Sequence, residues 1–210
     1  MNRSWNAIIY KLWSPIYDHV FNKGMFLKAR KEVFKNLKYK KGSKILLVGA
    51  GTGADIPFFL DKGYVLTAID YSEEMLAVAK SKFKDKSITF KKMDAQKMEF
   101  EENTFDFIAA SLVISVVPKP EDALSEITRV LKKNGEILIF DKFAPVTKKL
   151  NVAQKILRPI IKLLGTDIGI DFHALLKPFE TQLELKKDDA VMLNGMYRKI
   201  LLVKQLPGNQ

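Results

Sequence analysis

Between Gly49 and Asp70 the chain sets residue types at a spacing that suits one kind of chemistry. In KILLVGAGTGADIPFF (Lys44 to Phe59) an apolar run leads into Gly49, Gly51 and Ala54, which satisfy G-x-G-x-x-G/A, and Asp70 follows 21 residues after Gly49. Glycines in such a turn let the backbone approach a ligand. The helix expected to follow would point its free N–H groups and positive dipole end at it. A carboxylate at this distance suits the hydroxyl donors of a ribose. The pattern admits NAD and, equally, any other adenosine cofactor. A phosphate-binding P-loop is excluded, because no Gly-Lys-Ser/Thr ends the turn.

Other chemistries fall away on composition. The chain has no cysteine, which removes disulfides, thiolate metal sites and cysteine nucleophiles. Its two histidines, His19 and His173, are far apart and form no H-E-x-x-H, so no metal site is expected. The longest apolar run, FIAASLVISVV (Phe107 to Val117), is short of the roughly 20 residues of a membrane-spanning helix and reads as a buried strand. Met1 to Trp13 has scattered polar residues where a secretory signal needs an unbroken apolar stretch, so a cytoplasmic location is expected.

The elements that must position the turn read as an alternation. YVLTAID (Tyr64 to Asp70) is a strand, EEMLAVAKSKF (Glu73 to Phe83) a helix, and SITFKKMD (Ser87 to Asp94) a strand. KPEDALSEITRVLKKNG (Lys119 to Gly135) reads as a helix from Pro120, with lysines in its last turn and Gly135 to stop it. EILIFDKF (Glu136 to Phe143) is the next strand. TQLELKKDD and MYRKILLVKQ (Met196 to Gln205) are separated by too few residues for a crossover, so they form an antiparallel pair. The expectation is one α/β domain: a Rossmann-like, doubly wound, seven-stranded sheet, mostly parallel with a C-terminal antiparallel hairpin, plus N-terminal and lid helices. Basic helices occupy 1–42, the cofactor-binding core 43–145, a basic amphipathic lid 146–178 and the hairpin 179–206.

Several motifs carry a family resemblance over roughly residues 40 to 145. LLVGAGTGADIP, AIDYSEEMLAVAK, MDAQKMEFEENTFDFI and EITRVLKKNGEILIFD together resemble a class I S-adenosylmethionine-dependent methyltransferase. The resemblance implies that Gly49, Ala50, Gly51 and Gly53 pass under the methionine part of S-adenosyl-L-methionine. It implies that Asp70 accepts from both ribose hydroxyls, Tyr71 and Met75 flank the adenine, and Asp94 with Ala95 meets its amino edge. Ser111 and Leu112 would line the methionine side. The family has an acid two residues before the first glycine, where this chain has Leu47. That acid's role is expected to pass to water, to main-chain groups or to an N-terminal residue such as Tyr17.

The acceptor is read from the flanks. Residues 1–44 carry eleven Lys/Arg against two acids, and residues 142–166 carry six Lys/Arg and no acid. Such segments suit an anionic partner, either phospholipid headgroups at the inner face of a membrane or RNA phosphates. Trp5, Ile8, Leu12 and Trp13 in the first, and Val152, Ile156, Ile160 and Leu164 in the second, form apolar stripes beside lysines, as in helices that lie in a bilayer interface. Such stripes equally suit helices that pack on the sheet as a lid. WSPIYDHVF and IFDKFAP resemble methyltransferases acting on quinones and phosphatidylethanolamine, which favours a small or lipid acceptor over nucleic acid. If the nucleophile is a headgroup amine, Tyr17, His173 and Asp141 are the candidate proton acceptors, beside His19. With no cysteine, methylation at carbon 5 of pyrimidines is excluded.

Overall fold

The computed structural model describes residues 24–144 and 169–205. Tyr17, the two tryptophan positions and most of the expected lid lie outside the described residues. Among the described residues seven strands form one sheet: β1 (Lys44–Val48), β2 (Val65–Asp70), β3 (Ile88–Lys92), β4 (Phe105–Ser111), β5 (Leu131–Lys142), β6 (Leu183–Met192) and β7 (Tyr197–Lys204). Their order is β3-β2-β1-β4-β5-β7-β6. The first five are parallel, and β7 runs antiparallel to both β5 and β6, as the short connection requires.

The α-helices among the described residues are α1 (Gly24–Val33), α2 (Glu73–Lys82), α3 (Pro120–Val130) and α4 (Phe172–Leu176). Alternate residues of the central strands face opposite sides, and both sides are covered. Leu46, Ile108 and Ile139 pack with Leu124 and Ile127 of α3 and Phe172 of α4. On the other face Leu47, Ala109, Leu138 and Phe140 pack with Ala29 and Val33 of α1. Strand order reverses between β1 and β4, so a crevice opens at their carboxyl ends.

Three local readings are corrected. The glycine turn leads into a 3₁₀ turn, Ile56–Phe58, and not into an α-helix; Pro57 lacks the N–H that a longer ladder would use. The apolar run Phe107 to Val117 is a strand only to Ser111, because Leu112 takes a left-handed φ of 55° and turns the chain. Helix α3 ends at Val130 and not at Gly135. Leu131 is already extended, fully buried and paired with Phe105 of β4. Lys132, read as a last-turn helix lysine, instead meets Asp106 at 2.7 Å. The carbonyls at the helix end are capped from the last strand: Lys204 Nζ donates to Thr128 O at 2.8 Å and to Leu131 O at 2.7 Å.

Candidate cofactor cleft

The crevice at the ends of β1, β2 and β4 is a cleft whose wall includes Gly49, Gly51, Asp70, Tyr71, Asp94 and Leu112. Gly49, Gly51 and Gly53 take φ values of 68°, 53° and 87°. A Cβ on Gly49 would lie 2.7 Å from Val113 Cβ, so only glycine lets the loop after β4 close against the turn.

Asp70 joins the turn to the cleft. Its Oδ2 accepts the Gly51 N–H at 2.7 Å, and its Oδ1 accepts the Ser72 N–H at 2.8 Å. Burial pushes its carboxyl above the usual range, and the N–H groups of Ser72, Gly51 and Tyr71 partly offset this. A carboxylate has more lone-pair positions than these three N–H groups fill, so an open one remains toward the cleft, where a ribose hydroxyl would donate.

The two residues expected to flank an adenine, Tyr71 and Met75, both line the cleft. Tyr71 is 49% exposed, while Met75 is buried on α2. Ser72 caps that helix, its Oγ accepting the Met75 N–H at 3.2 Å. At the end of β3, Asp94 Oδ1 accepts from Gln96 N at 2.9 Å and Gln96 Nε2 at 2.8 Å, and Ala95 lies beside it on the wall.

Three sequence-predicted residues stand off the wall. Ala50 belongs to the core on the α1 side and donates its N–H to Ile69 O at 2.9 Å. Gly53 packs against Phe83, whose Cε2 would be 2.6 Å from an added Cβ. Ser111 is buried, and its hydroxyl has no hydrogen-bond partner among the described residues.

The wall also contains residues that sequence reasoning missed. Gln96 takes the Lys119 N–H at 2.9 Å and so ties the Asp94 turn to the start of α3. A polar residue two positions after a strand-end Asp is an Asx-turn signal that could have found it. Val113, Val116, Val117 and Pro118 line the cleft because the run after Ser111 is a turn, with Val116 and Val117 donating to Val113 O at 3.1 Å.

The described candidate proton acceptors lie elsewhere. Asp141 is fully buried and off the wall; its Oδ1 accepts from Ser115 Oγ at 2.6 Å and Lys142 N at 2.8 Å, and its Oδ2 from Ser115 N at 3.0 Å. It therefore anchors the loop that closes the cleft. His173, at the start of α4, has a half-exposed side chain, with Nε2 3.5 Å from Asp188 Oδ2 and 3.4 Å from Arg198 Nη2. Arg198 is buried, paired with Asp188, and lies over the rings of Phe143 and Phe172.

Fold and cleft together define a class: a Rossmann-like protein with a site for an adenosine cofactor at the carboxyl ends of its central strands. The cleft wall carries Asp70 and Asp94 and no Lys or Arg among the described residues, in a chain of net charge +11. That polarity fits a sulfonium cofactor without phosphates.

Comparison with known proteins identifies the family. The family described as "Methyltransferase domain" matches residues 46–139. The chain is 35% identical to a phosphatidylethanolamine N-methyltransferase of Cereibacter sphaeroides over 168 residues, 77% of this chain and 81% of that protein. It is 38% identical to a demethylmenaquinone methyltransferase of Staphylococcus saprophyticus, over 56% of this chain and 52% of that protein. Among solved structures it superposes on phospholethanolamine N-methyltransferase 2 of Haemonchus contortus, in complex with phosphomonomethylethanolamine and S-adenosylhomocysteine. That match has a TM-score of 0.78 at 16% identity and covers 98% of this chain and 61% of the other. The chain belongs to the S-adenosylmethionine-dependent methyltransferase family. S-adenosyl-L-methionine is thus the cofactor among those that the glycine turn admits.

Proposed function

We propose that the acceptor is an amphiphile with a headgroup amine, of the phosphatidylethanolamine kind. The observation that carries this reading is the 35% identity to the Cereibacter sphaeroides enzyme across most of both chains. The basic flanks support it, since they suit anionic headgroups. No helix among the described residues is long and apolar enough to cross a membrane.

S-adenosyl-L-methionine, when bound, supplies an activated methyl on a sulfonium, leaving the protein to orient the acceptor and exclude water. A headgroup ammonium must also lose a proton before its nitrogen can attack. Of the described candidates His173 is the one that solvent reaches, and Asp188 beside it would stabilise the imidazolium that forms. Tyr17 remains a second proposed acceptor, and Asp141 acts through the loop that it anchors. A quinone precursor is the second reading, favoured by the demethylmenaquinone methyltransferase match.

The test is transfer of tritiated methyl from S-adenosylmethionine to phosphatidylethanolamine vesicles, to demethylmenaquinone and to RNA in parallel. Label is expected in the phospholipid. Label confined to the quinone or to RNA would overturn the proposal.

A further inference from the structure

Between α1 and the β6–β7 hairpin runs a groove of about 1080 Å³ whose walls are basic. Its floor follows from the ladder. Leu138 of β5 pairs with Leu201 of β7, and Leu201 pairs in turn with Lys187 of β6, so the three share the sheet face on which α1 packs. Leu37, Val191 and Leu201 are only partly buried there, and Met25 at the start of α1 is 52% exposed. Lys28 and Lys31 of α1, with Lys35 and Lys38 just after it, line one wall, and Lys187 and Lys199 line the other. Three acids stand against these six lysines: Glu32, Glu136 and Asp189. Glu136 already accepts from the Tyr39 hydroxyl. Among the described residues only Lys35 of the six is in an ion pair, with Glu32 at 3.7 Å. Burial and the neighbouring Lys187 hold the Lys199 ammonium below the usual lysine value, against the pull of Asp189 and Glu32. Arg30 serves the opposite side of α1, buried and paired with Asp55, so the helix is tied to the core without these lysines.

We propose that this groove takes a single-chain anionic amphiphile of the fatty-acid kind, with its carboxylate among the lysines of the two walls and its chain along the aliphatic floor. Charge complementarity supplies the first argument, since the excess of lysines over acids calls for an anion. The floor supplies the second. A single-stranded nucleic acid would use the same charges, but its bases need aromatic faces to stack on. Among the described residues the groove has one aromatic side chain, Tyr39, whose ring packs on Phe107 at 4.8 Å between centroids and whose hydroxyl is engaged by Glu136. Leu37, Leu138, Val191 and Leu201 suit an alkyl chain instead. The wall that the ten residues of α1 provide is about 15 Å long, room for a chain of medium length. No described residue lines both this groove and the cofactor cleft, so the proposal stands apart from the cofactor and from the choice of acceptor.

Calorimetry on the full chain tests it, with laurate below its micelle concentration as the probe. Dodecyltrimethylammonium carries the same chain on a cationic head, inorganic phosphate is an anion without a chain, and oligouridylate is a polyanion with bases. Laurate should bind at least tenfold more tightly than either of the first two. Lys187→Gln with Lys199→Gln removes two cations from the wall and should weaken laurate about tenfold. S-adenosylhomocysteine affinity should stay unchanged in that variant, which reports that the fold is intact. Leu201→Asn, on the floor, should weaken laurate several-fold and leave phosphate binding as it was. Equal binding of the cationic amphiphile would overturn the proposal, as would unchanged laurate affinity in the double lysine variant. Oligouridylate binding that is tighter than laurate and lost in that variant would make the groove a nucleic-acid site and overturn it too. So would binding to phosphatidylglycerol vesicles with none of free laurate, which would set these lysines against a bilayer surface. If Leu201→Asn does not fold, the lysine variant decides alone.

Discussion

Asp70 and Asp141 are written into the sequence alike and serve different ends. Each is an acid at the carboxyl end of a parallel strand, each takes main-chain N–H groups, and burial pushes each carboxyl up. At Asp70 the N–H groups of Gly51, Ser72 and Tyr71 hold the carboxyl from the turn side, and its open side faces the cleft. At Asp141 three donors from Ser115 and Lys142 close around a side chain with no exposure. The difference lies in the neighbourhood: β2 ends at the crevice beside the β1/β4 reversal, whereas β5 is flanked by β4 and β7. A strand-end acid becomes a ligand group only where the topology leaves it an open lone pair.

The largest effect should follow Asp70→Ala. Two hydrogen bonds to a charged group, at about 1.5–3 kcal/mol each, correspond to a loss of roughly a thousandfold in S-adenosylhomocysteine affinity, measured by calorimetry. The Gly51 and Ser72 N–H groups lose their acceptor at the edge of the cleft, where water can replace it, so the melting temperature should fall by less than in an Asp141 variant. If the variant instead melts as low as an Asp141 variant, Asp70 is also structural and the contrast fails.

Asp141→Ala should show the reverse pattern. It strands the Ser115 N–H and Lys142 N–H in the interior, so urea unfolding should report a loss of about 2–4 kcal/mol. Cofactor affinity should fall only secondarily, through slackening of the loop that Ser115 anchors.

Acid should separate binding from folding. A carboxyl raised by burial stabilises the fold while protonated, fully so below the ordinary aspartate value of about 4, and this contribution is lost as pH rises through the folded value. Lowering the pH through the raised values therefore does not by itself unfold the protein at Asp70 or Asp141. Cofactor binding has the opposite sign, since ribose hydroxyls need the ionised acceptor. S-adenosylhomocysteine affinity should decline at a pH above that at which circular dichroism shows unfolding; coincident transitions would refute this.

Much of the Asp70 side was legible because its signals are local. AIDYSEEML contains the acid that ends β2, the capping Ser72 and the buried Met75 in one short run of sequence. The alternation of strands and helices and the terminal hairpin were legible for the same reason. What was missed depends on distant partners. The run after Ser111 has no polar residue to break a strand reading except Ser115, whose partner Asp141 is 26 residues away. The end of α3 is set by Lys204 from the last strand. Arg30 reads as one more basic residue on a basic helix until Asp55 and Phe140 are placed beside it.

The smallest effects test the comparison most finely. Ser115→Ala deletes the Oγ donor to Asp141 and keeps both main-chain donors, so it should cost about 1–2 kcal/mol of stability. Ser72→Ala deletes the acceptor for the Met75 N–H but keeps the Ser72 N–H on Asp70, so the loss should be that of a helix cap, about 1 kcal/mol. Neither should greatly alter S-adenosylhomocysteine affinity, because neither removes a contact to the Asp70 carboxyl. If Ser72→Ala weakened binding as far as Asp70→Ala does, Asp70 would act by holding the start of α2 in place. Its carboxylate would then be an anchor of the same kind as Asp141, and the distinction between the two strand ends would disappear.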